Sequence, residues 1–246
     1  MANLSALRRE LGGLADTDKA VFLQRFFRTG KGEYAEGDVF RGITVPETRR
    51  IAKKFRGISL MDVGKMLESK IHEERLCGFL ILVDRFRAGS DGEKGAIFDF
   101  YISHARRANN WDLVDLSADK ICGEYLAERS GGDRELLYRF AASDNLWERR
   151  IAIVSTFAFI RRKQFGDTFS IAEKLLHDRH DLIHKACGWM LREAGKRDEK
   201  ALEGFLRKHA AEMPRTMLRY AVERLPERKK KLYMGMKARK QKTMQV

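Results

Sequence analysis

One short pattern recurs along this chain: a polar residue, a basic residue, then apolar and small residues at helical phase. It reads Glu74-Arg75-Leu76-Cys77-Gly78-Phe79, then Arg149-Arg150-Ile151-Ala152-Ile153-Val154, then His184-Lys185-Ala186-Cys187-Gly188-Trp189. The basic positions Arg75, Arg150 and Lys185 stand 75 and 35 residues apart, so the first gap is close to two of the second. A missing copy belongs near position 112, and Trp111-Asp112-Leu113-Val114-Asp115 lies there. A period of about 35 to 38 residues is the length of one helical hairpin.

The punctuation of the chain agrees. Its three prolines, Pro46, Pro214 and Pro226, each open an apolar-periodic segment, where a missing backbone N–H does no harm to a helix. Apolar residues recur at helical spacing over Ala20 to Phe27, Leu76 to Phe86, Ile151 to Ile160, Ile183 to Leu191 and Met217 to Leu225. No alternating apolar and polar run is bounded by hairpin-turn pairs, so strand content is expected near zero. The expectation is an all-α array of stacked hairpins of the HEAT or armadillo-like solenoid type. A single domain over 1–226 is followed by a basic tail over 227–246.

Charge narrows the partner. The 246 residues carry 49 Lys and Arg against 35 Asp and Glu, a net charge of +14. The tail holds eight basic residues (Arg228, Lys229, Lys230, Lys231, Lys237, Arg239, Lys240, Lys242) and one acid, Glu227, which is half of the excess. The other half lies in the body, and a basic body points to a polyanion. Cys77, Cys122 and Cys187 are odd in number and sit in apolar runs, as small core residues of a reducing compartment do. The N-terminus, Met1 to Asp16, lacks a signal-like apolar stretch, and no membrane-length apolar run occurs. The expected location is cytoplasmic, with no membrane partner.

Trp111 and Asp115 set an aromatic ring and a carboxylate one helical turn apart. In a solenoid, equivalent helices line one face, so Trp111, Arg150, Lys185 and Trp189 would share a groove. Both tryptophans also read as core knobs. Asp115 reads in two ways: as an active carboxylate that stabilises developing positive charge on a sugar or orients a water, or as a helix cap or ion-pair partner. Asp112 suits the cap better. Trp111 and Trp189 can clamp a sugar-phosphate backbone or face a cationic ring, and Arg150 can hold a phosphate through its planar fork. Arg149, Arg161, Arg162, Lys163, Lys185 and Arg192 extend the basic supply, each with a solvated-surface reading beside it.

Other chemistries find no signature. His180 and His184 are four apart with His177 nearby, but the glutamate of a metalloprotease motif is missing, so no metal is expected. Gly30-Lys31-Gly32 and Gly131-Gly132 do not complete a phosphate loop, and no nucleotide cofactor is expected.

Three stretches, Asn110-Trp111-Asp112-Leu113-Val114-Asp115, Ser143-Asp144-Asn145-Leu146-Trp147-Glu148-Arg149-Arg150 and Lys185-Ala186-Cys187-Gly188-Trp189-Met190-Leu191-Arg192-Glu193, resemble in order and spacing the AlkD-like DNA alkylation-repair glycosylases. The resemblance covers about residues 20 to 225, including the helix entry Gly42-Ile43-Thr44-Val45-Pro46. It implies a right-handed superhelix of HEAT-like antiparallel hairpins with a concave basic groove. It implies Asp115 as catalytic carboxylate, Trp111 and Trp189 as groups gripping the lesion-bearing backbone, and Arg150 as a phosphate contact; Lys185, Arg192 and Arg149 are added as DNA-binding candidates from the basic supply. The implied reaction is hydrolysis of the N-glycosidic bond of cationic purines such as 3-methyladenine and 7-methylguanine in double-stranded DNA. Such purines leave readily, so one carboxylate suffices and no cofactor is needed. The family is thought to work from the backbone side, unlike enzymes that extrude the base. In place of the tyrosine that the family's first helices often bring to the groove, this chain has Gln24-Arg25-Phe26-Phe27, with Tyr34 in the loop from Gly30 to Gly37.

Two other readings stand beside the glycosylase. A non-catalytic reader of branched or damaged DNA accounts for the charge, with salt-sensitive binding. A protein-interaction scaffold predicts Trp111 and Trp189 inside the core. None of the three requires a second subunit, and a monomer is expected.

Overall fold

Short polar side chains start most of the early helices. In the computed structural model, which describes residues 3–128 and 131–243 apart from the side chains at 131–132 and 237–243, the chain divides into two units, residues 1–125 and 126–246. The first unit contains α1 (Leu4–Gly12), α2 (Thr17–Phe26), α3 (Val45–Lys54), α4 (Leu60–Leu67), α5 (His72–Ala88), α6 (Asp91–Ser103) and α7 (Trp111–Ser117). Asn3, Asp16 and Ser59 accept a backbone N–H of the first turn of α1, α2 and α4, which satisfies donors that a helix start leaves free. Thr44 with Glu47 and Ser90 with Glu93 form capping boxes at α3 and α6. Pro46 sits in the first turn of α3, as its position in the sequence predicts.

Helix α5 is the spine of this unit, with α3, α4, α6 and α7 packed around it. Leu76, Phe79, Leu80, Ile81, Leu82 and Val83 are buried there. So are His72, Glu73, Glu74 and Arg75 of its first turn. Such groups persist inside a core only when paired or hydrogen-bonded.

The apolar-periodic run Ala20 to Phe27 is helical as expected, but its apolar side is left largely uncovered. Helix α2 buries none of its residues, and Phe22 and Phe26 are 64% and 54% exposed. The buried ring is Phe27, one position beyond the helix. The apolar face of α2 lines a cavity of about 400 Å³, closed on its other side by Gly42, Ile43, His72 and Leu76.

Helix α8 (Glu124–Ala127) carries the chain across the boundary. The second unit contains α9 (Glu135–Ala141), α10 (Leu146–Ser155), α11 (Phe157–Arg161), α12 (Gly166–Lys174), α13 (Asp181–Gly195), α14 (Glu199–His209), α15 (Arg215–Ala221) and α16 (Glu227–Thr243). The periodic run Ile151 to Ile160 is two helices, because Thr156 turns its hydroxyl back to the Ile153 carbonyl at 2.7 Å, a bond that competes with the helical ladder. Helix α13 packs against α10, α14 and α15.

The basic tail begins as α16. Lys229 Nζ reaches Glu199 at 2.5 Å and Glu203 at 2.9 Å, and Tyr233 is buried. The side chains of Lys237, Arg239, Lys240 and Lys242 lie outside the described residues. Among the described residues no strand forms, only a parallel bridge between Val39 and Ile71. No helix there is long and apolar enough to cross a membrane. The three cysteines are buried and free, as their apolar surroundings predict. Burial pushes the Cys77 thiol up to about 12.

Candidate functional site

Helix α7 presents one face outward. Asn110 is its N-cap, and the side-chain oxygen accepts the Trp111 N–H at 2.8 Å. Asp112, Leu113, Val114 and Ser117 point into the core, whereas Trp111 and Asp115 are each half-buried and one turn apart. The Asp115 carbonyl accepts Lys120 Nζ at 3.4 Å, and beyond it the chain widens into a π-helical turn, Asp119–Gly123. Trp111 is only part-buried, with its ring packed against Phe26 and Phe27.

Asp112 does not hold the helix end. That expectation is corrected by Asn110, which holds the extended N-cap position, whereas Asp112 lies inside the first turn. The Asp112 carboxylate instead lies 2.8 Å from His72 Nε2. His72 Nδ1 is 3.1 Å from Asp38, so one imidazole bridges two carboxylates while only 1% exposed. Arg75 Nη2 lies 2.7 Å from Asp38, off the line of a hydrogen bond, and Asn109 donates to Asp38 at 3.2 Å. Beside them Glu73 accepts the backbone N–H groups of Arg41, Gly42 and Ile43.

The charges explain the protonation. Burial by itself pushes the His72 pKa down, but the Asp112 carboxylate, through its charge and its hydrogen bond, and Asp38 outweigh it and raise the value to about 9. For Asp38, burial pushes up and the His72 hydrogen bond and the Arg75 charge prevail, holding it below the usual carboxylate range. Nothing in the sequence flags this triad, since Asp38 and Asp112 stand 34 and 40 residues from His72.

An aromatic stack joins the triad to Trp111. The Phe27 ring lies 5.1 Å from Trp111 and 4.9 Å from Phe40, near parallel to both, and Phe40 lies over His72 at 4.3 Å. Phe26 meets Trp111 edge-on at 6.1 Å. These are the favourable offset and edge arrangements of π systems. Tyr34 also reaches this ring. Burial raises its pKa, and a hydrogen bond from the Trp111 indole N–H acts in the opposite direction. Phe26, Phe27 and the loop tyrosine together occupy the surroundings of Trp111 that the sequence leaves unassigned.

The second unit has its own candidate face. Lys185, Trp189 and Arg192 fall on one side of α13, half-buried, while Ile183, Ala186, Cys187, Met190 and Leu191 are buried. Trp189 packs 6.0 Å from Phe157, and the Arg161 guanidinium lies over that ring at 4.7 Å. Lys185 pairs with Asp181 at 2.8 Å, and Arg192 with Glu223. Arg149 grips Asp178 at 2.6 Å and the carbonyls of Ser143 and Asp144. Arg150 is buried and donates to the Leu182 carbonyl at 2.5 Å, so part of its fork serves the fold. His180 caps α13 by accepting the Leu182 N–H at 3.2 Å, and His184 donates to the Asp178 carbonyl at 2.6 Å. Phe157 and Arg197, whose guanidinium also lies over the Phe157 ring at 5.5 Å, were not singled out in the sequence.

No curated protein matches the chain. Among solved structures the fold is similar to that of a predicted DNA alkylation repair enzyme from Enterococcus faecalis. The TM-score is 0.65 at 17% identity, over 87% of this chain and 97% of that one. The model of the family described as DNA alkylation repair enzyme matches residues 7–225. With that match running from α1 to the end of the segment before α16, the chain belongs to the DNA alkylation repair enzyme family.

Proposed function

We propose that this protein is a DNA glycosylase that hydrolyses the N-glycosidic bond of cationic N-alkylated purines, 3-methyladenine and 7-methylguanine, in duplex DNA. The observation that carries the reading is the part-exposed side of α7, where an indole and a carboxylate lie one turn apart while Asp112, Leu113, Val114 and Ser117 turn inward. Asp115 stabilises the oxocarbenium-like sugar as the bond to the base breaks, and orients the water that adds to the anomeric carbon. The departing purine already carries a positive charge and takes the bonding electron pair without a general acid. Trp111 offers its ring to the sugar-phosphate backbone. In the second unit Trp189, Lys185 and Arg192 supply aromatic and cationic contacts, with Arg150 and Arg149 behind them.

The test is release of methylated purines from alkylated duplex DNA. Wild type is expected to release both bases, and Asp115→Asn to lose at least about a hundredfold in rate while still binding the duplex. Equal release by the two proteins sinks the assignment of Asp115. Binding without any release by wild type leaves a non-catalytic DNA reader.

A further inference from the structure

The Trp111–Asp115 face does not hold itself in place. Helix α7 has seven residues, too short to fix its own rotation in water. Asp112 lies between the two presented residues in sequence and turns inward to a buried imidazole. That imidazole is held from its other nitrogen by Asp38, at the end of the loop that brings Tyr34 to the Trp111 indole. Its ring is stacked on Phe40, which stacks on Phe27, which stacks on Trp111. Two routes therefore run from His72 to the outward face, one through the Asp112 carboxylate and one through three aromatic rings.

We infer that His72 is a positioning residue. Bridging Asp38 and Asp112, it locks α7 in rotation and register, and so sets the direction in which Trp111 and Asp115 are presented. The chemical reason is that two buried carboxylates repel unless a cation or donor stands between them, and a planar ring with a donor on each edge fixes the line joining them. Neither Lys nor Arg gives that geometry with so little volume. Asp112 Oδ1 has no hydrogen-bond partner among the described residues, so the polar route from His72 to α7 runs through the Oδ2 contact.

The inference rests on the glycosylase reading for its effect on turnover, but not for its effect on Trp111. The experiment reads both. In a background with Trp147 and Trp189 replaced by Phe, Trp111 is the sole tryptophan. Asp112→Ala is expected to shift its emission to longer wavelength, with helicity retained by circular dichroism. In the otherwise wild-type chain the same change is expected to lower excision turnover by about 10- to 100-fold. Asp112→Asn keeps an oxygen that accepts the His72 N–H and is expected to restore most of both signals. His72→Gln, which reaches one carboxylate at a time, is expected to behave like Asp112→Ala. A folded Asp112→Ala protein with wild-type emission and turnover overturns the inference. So does loss of helicity in both Asp112→Ala and His72→Gln, which assigns the triad to folding instead. If wild type releases no base, the glycosylase reading fails while the emission of Trp111 still decides this one.

Discussion

At the scale of single residues, the first unit concentrates its electrostatics in one place. His72 stays charged because Asp112 and Asp38 flank it, with Arg75 and Glu73 the other charged groups nearby. Its pKa rises from 6.5 to about 9 on folding, so its contribution to stability is fully present below pH 6.5 and is lost as the pH climbs through 9. The shift corresponds to about 3 kcal/mol. Urea unfolding between pH 6.5 and 10 is expected to show this loss in wild type and a flatter profile in His72→Gln. A profile identical in both proteins removes His72 as the source. Sequence reading singled out Trp111 and Asp115 because they share a helix turn, and noted Tyr34 in its loop, but missed His72 and Asp38. Local spacing reports neighbours within a helix and says nothing of pairs brought together from more than 30 positions away.

At the scale of elements, the repeated pattern has a packing meaning. Gly78 and Gly188 hold the same place in two copies, after a cysteine and before an aromatic residue. A Cβ on Gly78 would stand 2.9 Å from Leu67, and one on Gly188 would stand 2.5 Å from both the Met217 carbonyl and Tyr220. Both mark where a neighbouring helix passes closest, α4 over α5 and α15 over α13. Gly188→Ala is expected to destabilise the protein by about 1 to 3 kcal/mol, read as a lower urea midpoint, whereas Gly92→Ala, with open space around it, is expected to be near neutral. Several helix positions were legible from apolar period and proline placement. The split at Thr156 and the exposed face of α2 were not, since the first turns on one hydroxyl and the second on what neighbours leave uncovered.

At the scale of the whole molecule, charge is the property that carries over from sequence without needing the fold. A net +14 is expected to make duplex binding lose about a hundredfold or more between about 50 and 200 mM salt, in a titration with unmodified DNA. Affinity indifferent to salt would exclude a phosphate-based interface. The ion pairs temper which charges are offered. Lys229 is engaged by two glutamates, and Arg149 by Asp178, so a count of basic residues overstates the number open to phosphate.

By itself the sequence determined that this chain is helical, where several of its helices lie, that its charge points to an anionic partner, and which family it resembles. These follow from period, proline placement, composition and motif order, which are properties of residues near one another or summed over the chain. Only the tertiary structure decided which face of each helix stays outside, that Asp112 turns to His72 and leaves the cap to Asn110, and that Arg150 is buried. Those outcomes depend on what each side chain meets across the core, and burial makes the energy of a polar group depend on its partner far more than on its own identity.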